Sequence, residues 1–397
     1  MVDISCSLRP SSYSSTTPRP SNLAMAKTQG GISTGQEKSA SASSVRNVKR
    51  IRCFCWTTAM VGSDVDFRDY LVHQIAGVQK RKACEPLAAK EAAHGGSKVK
   101  NEKGEPPKGQ PEEPTFPLVM FSHGMGGSRT AYSSVCGEFA SYGFVVCAVE
   151  HRDGSGARTF INHPSEGKGS RKEREANGRV GHWKKEAERR WDVVDFIFPK
   201  QNPYDTRPYN EQGVDKELRS AQIEMRLAEI EEAYDIVKAI AAGRGSAIAE
   251  QTLRNTEAIG ASSRGLYGVE WDSWKGRLNT TQVTMVGHSF GPATTVEILR
   301  HANRFQWVGQ GIMYDIWGIA LNPPESEPRH RITAPLLGMN SEALMYWSEN
   351  FRAATRVCDE AKMHGSLAWL LTVRGTVHIS QSDFAILYPH IASMTLK

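Results

Sequence analysis

An α/β domain with a mainly parallel central sheet is the fold that this sequence predicts. Three observations predict it. Six short apolar runs recur between residues 117 and 375, several of them nearly continuous, as in strands covered on both faces. Helical patterns stand between the runs, and that alternation is the signature of parallel strands joined by crossovers. One run also passes abruptly into a helix through a serine set between two glycines.

The elements follow in order. "PLVMFS" (117–122) is a first strand ending in the turn "HGMGG". "AYSSVCGEFASYG" (131–143) fits a helix closed by Gly143, and "FVVCAVE" (144–150) a second buried strand. Residues 154–212 are charged and Gly-rich, broken by "RRWDVVDFIFPK" (189–200), which suits a lipid interface and a buried strand or core helix equally. Ile223, Leu227, Ile230, Tyr234 and Val237 recur at helical spacing, with acids and Arg on the other face and Gly243 as a stop. "QVTMVG" (282–287) is a third strand and "PATTVEILRHA" (292–302) the helix behind it. "GQGIMYD" (309–315), "APLLGMNSE" (334–342) and "LAWLLTVRG" (367–375) read as the fourth to sixth strands. The expected plan has helices on both faces of the sheet and a charged helical insertion (154–275) before the third strand.

The N-terminal part reads differently. Residues 1–63 are Ser/Thr-rich, with Asp3 and Glu37 as the only acids. That composition resembles a mitochondrial transit peptide, but no strong amphipathic face is present, so a disordered tail over 1–48 is preferred. Residues 49–114 are a poorly defined segment followed by a polar Pro/Gly-rich linker. The ordered domain is expected over 115–397. The chain has 397 residues, 39% of them hydrophobic, enough for one large domain with appended segments. The net charge of +6 is spread rather than clustered, which argues against nucleic acid as a partner. Seven irregularly spaced cysteines argue against a disulfide framework and for a reducing compartment. Cys53 and Cys55 lack a matching second pair, so no zinc site is expected. No run of 18 apolar residues exists, and the expected location is the cytoplasm, with contact at a membrane surface.

The serine is Ser289, in Gly287-His288-Ser289-Phe290-Gly291. A sharp strand-to-helix turn lifts one residue beyond the carboxyl end of the sheet, and residues two positions away must then be small. Gly287 and Gly291 meet that need, which makes this a nucleophile elbow, with Pro292 tolerated in the first helical turn. The Phe290 N–H is placed to donate to a developing oxyanion. The second donor belongs in the loop after an earlier strand. "SHGMGG" is that loop, with the Met125 N–H as donor and Gly124, Gly126 and Gly127 permitting close approach. The fold class orders its triad Ser, acid, His. Asp315 ends the strand after the nucleophile helix and suits the acid; Glu325 and Asp383 are the weaker candidates. Among His301, His330, His364, His378 and His390, the base belongs at His378, in the turn after the last apolar strand.

"FSHGMGGSRTAYSSVCGEFASYGFVVCAVEHRDGSG", "GHSFGPATTVEIL", "YDIWG" and "TVRGTVHISQSDF" together resemble the platelet-activating-factor acetylhydrolases of the plasma and intracellular type II kind, over residues 115–397. The resemblance implies an α/β-hydrolase fold and a calcium-independent phospholipase A2. It implies Ser289 as nucleophile, Asp315 (in Asp-x-Trp with Trp317) as acid and His378 as base, with Met125 and Phe290 at the oxyanion. His151, Arg152 and Asp153 match a family signature whose implied role is to shape the site. Pro292 departs from the family's usual Gly, and residues 1–114 hold no convincing version of its early sheet strands. The function expected is hydrolysis of the short or oxidised sn-2 acyl ester of a glycerophospholipid, through an acyl-enzyme, with no metal or cofactor. A serine carboxylesterase acting on soluble or polyester substrates is the alternative within the fold. A non-catalytic lipid-binding or misassembled protein is the alternative outside it.

Overall fold

The structure is a computed structural model that describes residues 115–390, apart from 165, 167–169, 179–190, 252–268 and 328–329. The expected tail and linker over 1–114 lie outside the described residues. The elements run β1 (Phe116–Ser122), α1 (Ser133–Ser141), β2 (Val145–Val149), β3 (Arg158–Asn162), α2 (Arg171–Ala176), β4 (Trp191–Asp195), α3 (Lys216–Ala239), α4 (Gly245–Glu250), β5 (Leu278–His288), α5 (Gly291–Arg300), β6 (Val308–Tyr314), β7 (Leu336–Ser341), α6 (Glu342–Tyr346), α7 (Ser348–Met363), β8 (Ala368–Val373) and α8 (Phe384–Leu387).

Six strands form one sheet in the order β2-β1-β5-β6-β7-β8, every neighbouring pair parallel. The chain leaves β1 toward β2 on one side and returns to β5 on the other. The crevice beyond the carboxyl ends of β1 and β5 is therefore a topological switch point, where ligands bind in open α/β sheets. The six apolar runs form this sheet because alternate side chains fill two separate layers. Leu118, Met120 and Met285 face α3 and α5, against Leu227, Ile230 and Val296. Val119, Phe121 and Val286 face the other way, against Tyr132 and Cys136. Each such buried side chain contributes about 1.5–3 kcal/mol.

Four features differ from the sequence expectation. First, the polar residues of α3 do not all face water: Arg219, Gln222, Arg226 and Glu229 are buried beside its apolar stripe. Second, Gly243 breaks that helix with a φ of 84°, but a further helical turn, α4, follows directly. Third, α7 fills the connection between β7 and β8, where the sequence reading named no helix. Fourth, β8 lies at the sheet's edge, and its Trp369, Leu371 and Val373 are exposed while the residues between them are half-buried. The described part of the "RRWDVVDFIFPK" stretch, residues 191–200, is neither a core helix nor a fully buried strand. Its centre is β4, half-buried in an antiparallel ribbon with β3, and it continues into exposed Ile197 and Phe198.

Candidate active site

The turn from β5 into α5 forces Ser289 into the left-handed region, with a φ of 63°, which a non-glycine residue adopts only under constraint. The constraint is visible on both sides. The Ser289 N–H donates to the Tyr314 carbonyl at 2.9 Å, and the Trp317 N–H donates to the Ser289 carbonyl at 2.8 Å. A Cβ on Gly287 would fall 2.6 Å from Pro292 N, and one on Gly291 would overlap the Ser122 carbonyl. Gly287 is therefore required by the turn itself, and Gly291 by the end of β1 packed against it.

His378, at the start of a short 3₁₀ turn after β8, places Nε2 2.9 Å from Ser289 Oγ and Nδ1 3.1 Å from Asp315 Oδ2. Asp315 directly follows β6, has a φ of 44° and is fully buried. Ser341, from the end of β7, supplies two further hydrogen bonds to its carboxylate, one from its N–H and one from Oγ at 2.5 Å. Burial alone would raise the Asp315 pKa, but the hydrogen bonds from His378 and Ser341 and the His378 charge hold it below the usual range. A carboxylate fixed beside Nδ1 puts the neutral ring's proton there and leaves Nε2 free to accept the serine proton.

The loop after β1 presses against this serine: a Cβ on Gly124 would stand 2.7 Å from Ser289 Cβ. Its amides can be accounted for one by one. Gly124 N–H donates to Tyr132 Oη at 3.1 Å, Gly126 N–H to the Ser155 carbonyl at 2.7 Å and Gly127 N–H to the Gly124 carbonyl at 3.1 Å. Met125 N–H and, at the start of α5, Phe290 N–H have no acceptor among the described residues. Those are the two amides expected to receive an oxyanion.

Around this core lies a polar framework that sequence reasoning did not resolve. His288, inside the elbow, has Nδ1 3.0 Å from Tyr132 Oη and Nε2 3.0 Å from the His378 carbonyl. Since the carbonyl only accepts, Nε2 carries the proton and Tyr132 donates to Nδ1. Burial, with His378 beside it, lowers the His288 pKa to about 3, so the ring is neutral. His123 is likewise lowered, chiefly by burial and then by His151 and Arg226, to about 4. His151 bridges Ser122 Oγ (2.8 Å) and Glu229 (2.8 Å), and Arg152 also binds Glu229. His151, Arg152 and Asp153 therefore stand in the layer behind the Met125 loop.

The other candidates lie elsewhere. Asp383 is buried, and its carboxylate caps the start of α1 by accepting from Ser133 N–H (2.6 Å), Ser134 N–H (2.8 Å) and both hydroxyls. His364 ends α7, exposed, and His390 is exposed. Among the described residues, His288/Asp315/His378 and Glu297/His301/His330 are groups close enough to share an ion. The first is the chain just described. In the second, His330 Nδ1 accepts the Glu325 N–H at 2.8 Å, so its proton sits on Nε2, pointing at Glu297 at 3.1 Å. That ring has no lone pair left for a metal.

The sequence model of the family "Platelet-activating factor acetylhydrolase, isoform II" matches residues 76–397. A platelet-activating factor acetylhydrolase of Gallus gallus is 28% identical, over 71% of this chain and 56% of that protein. A putative phospholipase A2 of Schizosaccharomyces pombe is 26% identical, over 72% of this chain and 63% of that protein. The chain thus spans about half, and at most 63%, of the length of these curated relatives. Among solved structures, Thermogutta terrifontis esterase 2 aligns at a TM-score of 0.34 and 10% identity, over 73% of this chain and 83% of that one.

Proposed function

The chain belongs to the platelet-activating factor acetylhydrolase isoform II family, and from that premise we propose that it hydrolyses the short or oxidised sn-2 acyl ester of glycerophospholipids. The observation that carries the reading is the unbroken series Asp315–His378–Ser289 beside two amides without acceptors. His378 Nε2 takes the Ser289 proton as Oγ attacks the ester carbonyl. Met125 and Phe290 N–H groups receive the oxyanion, and Asp315 holds the imidazolium in place. Collapse of the tetrahedral species breaks the ester bond, and His378 protonates the departing lysophospholipid. Water, deprotonated by the same histidine, then frees the acyl group from Ser289.

A substrate of this kind lies in an aggregate, so a lipid-facing rim belongs to the proposal. Ile197 and Phe198 are exposed beside Gly154, close to the loop that holds Gly126. Exposed Met345 and Tyr346 lie on α6, directly after the Ser341 that binds Asp315, and the Tyr209 hydroxyl reaches the Tyr346 carbonyl. These exposed apolar side chains suit contact with a bilayer or micelle surface.

The test is a profile of sn-2 chain length on glycerophosphocholines, with wild type beside Ser289→Ala. Acetyl to about hexanoyl chains should be cleaved and palmitoyl spared, without loss in EDTA, and the variant should be inactive. Equal turnover of soluble esters with no gain on micelles would point instead to a carboxylesterase of the same fold.

A further inference from the structure

The Met125 loop is fixed from beneath by a single guanidinium. Arg226, on α3, is fully buried. Its Nε donates to Asp153 Oδ2 at 2.7 Å, one terminal nitrogen to the His123 carbonyl at 2.8 Å and Ser122 Oγ at 3.3 Å, and the other to Ser155 Oγ at 2.5 Å. Its central carbon lies 4.5 Å over the Phe290 ring. Three of these partners lie beside the oxyanion amides. His123 is two residues before Met125, the Ser155 carbonyl holds Gly126 N–H, and Phe290 carries the second amide itself.

We propose that Arg226 is a positioning residue for the oxyanion hole, holding the Met125 and Phe290 amides in register with each other across the Ser289 crevice. The inference rests on the ester-hydrolase reading above. A planar fork with five donors is needed to reach three separate segments at once, and a lysine ammonium at the same place cannot span them. Asp153 and Ser155 complete the device. Asp153 accepts from Arg226 and from both the Ser155 N–H (2.9 Å) and hydroxyl (2.5 Å), so the loop over 153–155 is folded around the guanidinium before it grips Gly126.

Arg300 is the matched control. It too is buried, in a bidentate pair with Glu360 at 3.1 and 2.6 Å, but at the far end of α5 from Ser289. The experiment compares Arg226→Lys and Arg300→Lys with wild type for kcat, KM, melting temperature and inhibition by a trifluoromethyl ketone, whose hemiketal oxyanion needs the two amides. Arg226→Lys should lose roughly 10–100-fold in kcat, the scale of a small misplacement of catalytic groups. Its KM should stay within about twofold, and the ketone should weaken in step with kcat. Arg300→Lys should lower the melting temperature comparably and leave kcat and the ketone unchanged. A folded Arg226→Lys with wild-type kcat and ketone affinity overturns the proposal. Where Arg226→Lys does not fold, Asp153→Asn keeps the shape and frees the fork; it should lower kcat in the same direction, and unchanged kcat there overturns the proposal as well. Wild type that cleaves no ester sinks the hydrolase reading and this inference with it, whereas active wild type with an unaffected Arg226→Lys sinks this inference alone.

Discussion

The oxyanion loop and the base loop face each other across Ser289 and are held by opposite means. The loop over 123–127 is tied to Tyr132, Ser155 and Arg226, all buried, and His123 itself is fully enclosed. The base sits on a turn beyond the edge strand β8, and the His378 side chain is 46% exposed. The base loop is moored at Asp383, which reaches back to α1, through Gly375, Thr376 and Gln381 to Glu342, Ala343 and Met339, and through the His378 carbonyl to His288. The difference fits the chemistry. An oxyanion hole works by being fixed before charge develops. A base that must pass a proton to a leaving group and then activate water needs access to solvent. Rigidity is therefore concentrated on the stabilising side, and the proton-transfer side keeps one orienting carboxylate, Asp315, buried at its root.

Asp315→Asn separates the two sides most sharply. It should leave the fold and the oxyanion side intact while cutting kcat by about 10⁴-fold, since the amide favours the wrong tautomer of His378. Steady-state kinetics with a circular-dichroism melt would check this, and a loss below tenfold would mean that Asp315 does not orient the base. Asp383→Ala should come next. Four hydrogen bonds to the start of α1 disappear, at about 1–3 kcal/mol. The His378 turn loses one of its moorings with them, so a fall in kcat of about tenfold should accompany a melting temperature lower by a few degrees. An unchanged kcat would show that the turn is held without that carboxylate.

A further effect, on stability rather than on rate, concerns pH and the interior side. His123 and His288 titrate at about 4 and about 3 when folded, against 6.5 for the free side chain. Between pH 6.5 and about 4 the unfolded chain therefore binds more protons than the folded one. Stability contributed by the two neutral rings is complete above 6.5 and is lost as the pH falls through that interval. The slope is about 1 kcal/mol per pH unit for each histidine. Melting temperatures measured from pH 7 to 4 should decline accordingly, and a flat profile would mean that these rings are not held neutral.

The legible and illegible parts of the molecule divide along similar lines. Ser289 could be read because its turn demands glycine at two fixed positions, and Asp315 and His378 because topology places them at strand ends in a set order. The parallel strands could be read because continuous apolar runs have few other uses. Arg226 and Glu229 could not, since a charged residue beside an apolar stripe looks like a solvated face until a partner such as Asp153 or His151 is brought in from a distant loop. The α7 helix has a weak sequence signal because its buried side combines small residues, Ala353, Ala354 and Ala361, with the polar Asn350 and Glu360, among many charges. By its place in the chain Asp383 is also a candidate acid for the triad. Its use as a cap for α1, 250 residues away in sequence from Ser133, has no local signal.

The most direct test of the central claim is the intact mass of the purified chain after treatment with a fluorophosphonate, beside Ser289→Ala. That reagent needs an activated serine and an oxyanion hole together. One phosphonyl adduct on wild type and none on the variant is the predicted result. A folded wild type that takes up no adduct, or an adduct that persists in Ser289→Ala, would contradict the account.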